Sequence, residues 1–305
     1  VERIGSVIVS ENGGDRESER VCREFSDLPI TYMFQEPELD NLAHFGLLAT
    51  VELQPFTAFL CDDDWWTPGH LEVALRELEA RPDCQAYYST YLQIVGGSPP
   101  SLHRGAWRIW AAGGEDFRPQ VLRLSFVQSL VANLPNFTFH YSSLVARTSA
   151  FKAAIELMVE QKNFFDNDRV VSLLLADPGG LICSTIPTVM IRCHPEQEAR
   201  SPVHAIKGVG SIMADTTRWI QRRWPEQCQE AAASFNATVD RISADQWREI
   251  SKDVYEPLLS TVIDEIGFRL WRPPVPSIEK YKRLMPAGMR GVLRRCRRSL
   301  PFRKG

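Results

Sequence analysis

No CxxC pair occurs among the seven cysteines of this 305-residue chain (Cys22, Cys61, Cys84, Cys183, Cys193, Cys228 and Cys296), and their number is odd. Scattered cysteines of this kind exclude a disulfide framework, argue against a zinc site and fit a reducing compartment. Nor does the chain carry a run of roughly 20 apolar residues, the length a bilayer span requires, or a signal peptide at its start. The expected location is therefore cytoplasmic, with peripheral attachment at the inner face of the membrane as the one extension. Internal repeats at a fixed period are absent as well. Composition is otherwise that of a globular protein, 44% hydrophobic and 24% charged, which excludes global disorder and leaves enough chain for a real core.

Positive charge is scarce everywhere except at the end. Residues 279–305 hold ten Lys/Arg and one acid, Glu279, which leaves 25 basic against 37 acidic residues in the remainder. An acidic body repels phosphate backbones, so no nucleic-acid partner is expected. The tail alternates apolar Val292, Leu293, Cys296 and Leu300 with arginine at near-helical spacing. Such a segment, Arg290–Lys304, suits an anionic membrane surface, where each arginine contributes about 1 kcal/mol; a solvated, frayed terminus is the alternative.

Apolar runs and turn signals alternate along residues 7–194. GSVIVSENGG reads as a strand at Val7–Val9 that breaks at Asn12-Gly13-Gly14, followed by a polar helix with Val21, Cys22 and Phe25 on one side. LPITYMF (28–34) is a second strand, Asn41 to Val51 a helix and PFTAFL (55–60) a third strand. Thr67-Pro68 opens a helix from Gly69 to Ala80, on which His70 reads as a surface residue. Residues 86–95 form a strand and Gly96 to Pro135 an irregular segment with Trp107 and Trp110, which either stack on a sugar face or cover the core. Residues 139–148 read as a strand, then a helix runs through residue 160, Asp168 to Ala176 is a short helix, and LICSTIPTVMIRCH (181–194) is a final strand. Strand alternating with helix predicts an α/β fold with a mixed, mostly parallel sheet flanked by helices. Beyond about residue 200 only helices are expected, including one opened by the Ser243-x-x-Gln246 capping pattern, and RPPVPS (272–277) is a linker. The expected division is a catalytic domain over 1–200, a helical extension over 201–275 and the basic tail over 276–305.

FTAFLCDDDWW places Asp62, Asp63 and Asp64 directly after the third apolar run. Carboxylates so close repel one another unless water or a cation sits among them. In parallel α/β sheets ligands collect beyond the carboxyl ends of the strands, and both Glu11-Asn12-Gly13-Gly14 and the aspartates are expected at that edge.

Taken in order, IVSENGG, TAFLCDDDWWTPGHLE, NDRVVSLLLADPGG and MIRCH resemble glycosyltransferase family 2, GT-A enzymes that move sugars from nucleotide diphosphates. The resemblance runs from about Val7 to His194. It implies an inverting, metal-dependent transfer to a glycan or lipid-linked acceptor in surface polysaccharide or glycolipid synthesis. In the DxD region it implies Asp63 as the principal ligand of Mg²⁺ or Mn²⁺, Asp62 on ribose or metal, and Asp64 as a secondary ligand; Cys61 stands where many relatives have the first Asp. Glu11, with Asn12, would hold the nucleoside, Arg192 the diphosphate, and His194 the metal. Asp168, at a helix N-terminus, falls where the family holds its catalytic base, with Asp166 as the substitute if the register slips. His44 is a pocket-wall candidate. Relatives carry a further strand and helix before the first turn, whereas six residues precede Val7 here, so a cropped start is expected.

Two rivals stay open. A nucleotidyltransferase would also use acidic metal ligands on an α/β sheet, and a degenerate sugar-binding or scaffold module would explain Cys61 and Glu11.

Overall fold

The computed structural model describes residues 4–51, 54–96, 98–102, 120–134, 139–160, 167–194, 209–241, 243, 245 and 263–269, with 209–212 by backbone alone. All of them fall within one compact unit, Val1–Leu270. Asp166, Trp107, Trp110, residues 246–262 of the helix expected after Ser243, the 272–277 linker and the basic tail lie outside the described residues. Among the described residues no helix is long and apolar enough to cross a membrane.

The chain opens with β1 (Val7–Asn12), α1 (Glu17–Glu24) and β2 (Ile30–Gln35). The two strands pair in parallel, from Val7↔Ile30 to Asn12↔Gln35, as a separate two-stranded sheet. The Asn-Gly-Gly break is a real turn: Gly13 and Gly14 have φ of 78° and 95°, a region costly for side chains with a Cβ. After α2 (Asn41–Thr50), whose cap Asp40 accepts from the Ala43 N–H, β3 (Phe56–Ala58) leaves this sheet. It runs antiparallel to β8 (Leu144–Arg147) instead. Arg147 lies over the Phe56 ring and the Thr57 and Thr148 hydroxyls bond at 2.7 Å, cross-strand contacts that set the register.

The seven-stranded sheet has the order β3-β8-β5-β9-β4, where β4 is Trp65–Trp66, β5 Ala86–Val95 and β9 Leu181–Cys193. β6 (Ser101–Leu102) adds to β5 and β7 (Val121–Leu124) to β9. The sheet is mixed: its longest pairing, β5 with β9, is parallel, and the shorter strands join antiparallel. Pro187, which cannot donate to a ladder, sits in a bulge where Ser89↔Ser184 jumps to Tyr91↔Val189. Beside the bulge the buried Thr188 accepts the Thr67 N–H on its carbonyl at 2.9 Å, just ahead of α3 (His70–Ala80).

One face of the sheet packs Tyr87, Val145 and Ile182 against Ala74 and Leu78 of α3. Further core residues come from α5 (Thr148–Glu160), with Phe151, Ile155 and Met158, and from α6 (Asn167–Ala176), with Val170, Val171 and Leu173. Residues 96–135 were expected to be irregular, yet they contain β6, β7 and α4 (Phe126–Asn133). The reason is a complete capping box: Ser125 Oγ accepts the Gln128 N–H and the Gln128 side chain accepts the Ser125 N–H. α4 buries Leu130 and Val131 and packs against α6 and against α8 (Pro225–Val239), which follows α7 (Val209–Arg223). Gly180, at φ 82°, is dictated by contact, since a Cβ there would meet the Leu124 carbonyl at 2.0 Å.

α4 is therefore a load of the core and α1 is not. Leu130→Ala should cost about 2–5 kcal/mol of stability by leaving a cavity. Val21→Ala on α1, where Val21 is 41% exposed, should stay within about 0.5 kcal/mol. Urea melts of the two variants check this, and equal midpoints would contradict the packing.

Candidate active site

β3 and β4 lie at opposite edges of the seven-stranded sheet, so residues 59–64 cross over its end. The end they cross holds the carboxyl termini of β5 and β9 and the start of β8, the edge at which the aspartates were expected. Two backbone bonds steady the crossing: Phe59 N–H to Leu144 O at 3.2 Å and Asp64 N–H to Cys61 O at 3.2 Å. Trp66 then anchors its far side, donating Nε1–H to Ser142 O at 2.6 Å.

The three aspartates have three different environments. Asp62 is exposed. Asp63 is half-buried and its Oδ2 lies 3.2 Å from His194 Nε2 at the end of β9. Asp64 is buried: its Oδ2 accepts the Ser142 hydroxyl at 2.5 Å and its Oδ1 accepts the Arg192 N–H at 3.1 Å. Burial, reinforced by the charges of Asp63 and Asp62 and opposed by the two hydrogen bonds, raises Asp64 from 3.8 to about 6.

Residues 139–148, expected as one strand, are a 3-10 turn at Tyr141–Ser143 followed by β8. His140 caps that turn, its Nδ1 accepting the Ser142 N–H at 3.2 Å and lying 3.6 Å from Asp64 Oδ2. Ser142 Oγ in turn accepts the Cys61 N–H at 3.0 Å. Burial pushes the Cys61 thiol up to about 12, with the charges of Asp64, Asp168 and Asp63 adding to it. Burial also lowers His140, against the charges of Asp168 and Asp63. Asp168 thus projects its charge into this centre from the first turn of α6, and it acts on the buried Tyr88 and Tyr141 as well. Cys61, His140 and Ser142 were not expected to take part. Cys61 reads as a lost ligand in the sequence, and nothing in FHYSS marks a turn that folds a histidine back on its own backbone.

Other expected residues are committed to the fold. The Glu11 carboxylate accepts from Tyr32 OH at 2.8 Å and from the Arg16 N–H at 3.1 Å. The Asn12 side chain pairs twice with the Leu39 backbone, both bonds at 2.8 Å. Arg192 is exposed and reaches Asp64 through its backbone N–H. His44 Nε2 bonds Ser10 Oγ at 2.7 Å. His70 is not a surface residue: it is 1% exposed, stacked on Trp66, with Nδ1 2.7 Å from Thr188 Oγ1 of the bulge.

For a hard cation the fit is divided. Mg²⁺ is usually held by one or two carboxylates with waters and substrate phosphates completing the shell. The exposed Asp62 and the half-buried Asp63 suit that role, whereas both oxygens of Asp64 already accept hydrogen bonds.

No known protein family and no curated protein matches the chain in sequence. Among solved structures it is similar to S. aureus TarS 1-349 in complex with UDP, at 10% identity and a TM-score of 0.48, over 92% of this chain and 83% of that one. TarS 1-349 without that ligand in its description gives 11%, 0.49 and the same shares, and the longer S. aureus TarS gives 10% and 0.49 over 86% of this chain and 48% of that one.

The neutral, buried His70 makes stability pH-dependent. Burial lowers it from 6.5 to about 4. Between these values the unfolded chain binds more protons, so stability falls as pH drops from about 6.5 towards 4. The loss from this site between pH 7 and 5 is roughly 2 kcal/mol, and His70→Asn should flatten it. Urea midpoints at the two pH values check this; an unchanged slope in the variant would refute the assignment.

Proposed function

We propose that the chain is a glycosyltransferase of GT-A type, transferring a sugar from a nucleoside-diphosphate donor to a glycan or lipid-linked acceptor with inversion. What supports the reading is that two acid groups from distant parts of the chain, Asp168 and Asp62–Asp64, both bear electrostatically on Cys61 and His140. Asp168, at the N-terminus of α6, puts its charge on the same Cys61 and His140 that sit among Asp62–Asp64. A single displacement needs that division of labour. The acceptor hydroxyl attacks the anomeric carbon as the bond to the diphosphate oxygen breaks, and its proton passes to a carboxylate on the acceptor side.

In this reading Asp168 takes the proton, kept ionised by the start of a helix. Asp62 and Asp63 would hold Mg²⁺ or Mn²⁺, which supplies charge stabilisation for the departing diphosphate. Asp64 holds the crossing in place. The nucleoside would lie toward β1, where Glu11 and the Asn-Gly-Gly turn mark the end of the strand, and Glu11 would have to exchange its Tyr32 bond to reach it. A lipid-linked acceptor is favoured by the basic amphipathic sequence Arg290–Lys304, and such an acceptor would place the protein at the inner membrane face.

Thermal-shift measurements with nucleoside diphosphates and their sugars, with and without Mn²⁺, test the reading, because a ligand of the native state alone raises its stability. One diphosphate should stabilise the wild type in a Mn²⁺-dependent way, and Asp63→Ala should abolish the shift. With the donor so identified, Asp168→Asn should keep donor binding and lose roughly 10²–10⁴-fold in transfer rate. Stabilisation by triphosphates only would favour a nucleotidyltransferase, and a full rate in Asp168→Asn would remove the base assignment.

A further inference from the structure

The sequence spacing argues against a zinc site, yet the fold assembles three donors of the zinc kind. One ligand atom each of Cys61, Asp64 and His140 lies within 4.8 Å of the other two. They come from the crossing segment and from the turn before β8, and Ser142 stands between them. Its hydroxyl donates to Asp64 Oδ2, its N–H donates to His140 Nδ1, and its oxygen accepts from the Cys61 N–H.

From this we infer that Cys61, Asp64 and His140 bind a divalent ion of the zinc class, in a site separate from Asp62 and Asp63. Two arguments lead there. The first is distance: tetrahedral bonds of about 2.0–2.3 Å separate ligand atoms by roughly 3.3–3.8 Å. His140 Nδ1 and Asp64 Oδ2 are already 3.6 Å apart. The second is donor type. A thiolate and an imidazole select zinc, cobalt or copper over magnesium, which demands oxygen.

On binding, Asp64 Oδ2 takes the ion on its second lone pair beside the Ser142 O–H, His140 Nδ1 exchanges the Ser142 N–H for the ion, the thiol proton leaves to solvent, and three metal–ligand bonds form. Three protein ligands leave a fourth position open, the arrangement of exchangeable sites. Cys61 and His140 are only half-buried, which leaves a path for entry. The inference stands on these residues alone and does not rest on the transfer reading.

Cobalt substitution tests it. The full chain, freed of metal by a chelator and kept reduced, is titrated with Co²⁺ while the visible and near-ultraviolet absorption is followed. One equivalent should give the intense ligand-field bands of tetrahedral cobalt with a thiolate-to-cobalt charge-transfer band. Zn²⁺ should displace it stoichiometrically and excess Mg²⁺ should not. Cys61→Ser should lose the charge-transfer band, and His140→Ala should weaken binding at least tenfold. A wild type without that band, or a band that persists in Cys61→Ser with a wild-type melt, overturns the site. If Cys61→Ser does not fold, zinc-edge X-ray absorption of the loaded wild type decides: one sulfur with nitrogen and oxygen supports the site, and an all-oxygen shell overturns it.

Discussion

Asp64 is the carboxylate on which the arrangement of this end of the sheet depends. The chain must carry its aspartates from one sheet edge to the other across the ends of β8, β5 and β9, and a segment crossing a sheet end has no ladder of its own. Asp64 substitutes for one by accepting the Ser142 hydroxyl and the Arg192 N–H, tying the crossing to the start of β8 and the end of β9. A buried carboxylate without such donors would cost several kcal/mol. Three adjacent acids are thus tolerated because one is folded into the protein, one is paired with His194 and one is left to water.

That division bears on function more than the motif does. A motif read as three interchangeable ligands gives a cation site of oxygens only. The fold sets Asp62 and Asp63 apart from a group of thiol, imidazole and carboxylate. The charge of Asp168, in the first turn of α6, acts on that group although it is distant in sequence. The neighbouring Arg169 is fully buried, with its guanidinium against the Leu134 and Met213 carbonyls and Thr217 Oγ1, so the first turn of α6 has little freedom to move.

Much of the fold was legible in the sequence, for physical reasons that differ from element to element. β1, β2 and α2 follow from apolar runs bounded by Asn-Gly-Gly and by Asp40, and β5 and β9 from runs long enough to be central strands. The α4 helix has a sequence signal in the capping pattern Ser125-x-x-Gln128, but it follows a glycine- and tryptophan-rich stretch whose composition reads as irregular. β3 was legible as a strand, but its partner was not, since register across a sheet depends on contacts such as Arg147 over Phe56. The positions of Asp62–Asp64, Asp168 and His194 at strand and helix ends were legible from the apolar runs beside them. His140 and Ser142 were not, because their role comes from a single 3-10 turn inside a run that has strand composition. His70 was misread for a related reason: the bulge at Pro187 that buries it is a tertiary event.

The central claim is that Asp168 and the acids of the crossing share one electrostatic centre, and the imidazole of His140 reports on it. NMR titration of His140 in the wild type and in Asp168→Asn, both with chelator present, is the direct measurement. The negative charge of Asp168 raises the affinity of His140 for its proton, so the account predicts a lower pKa in the variant. Superimposable titration curves would show that the carboxylate on α6 lies elsewhere, and the proposed site would not exist.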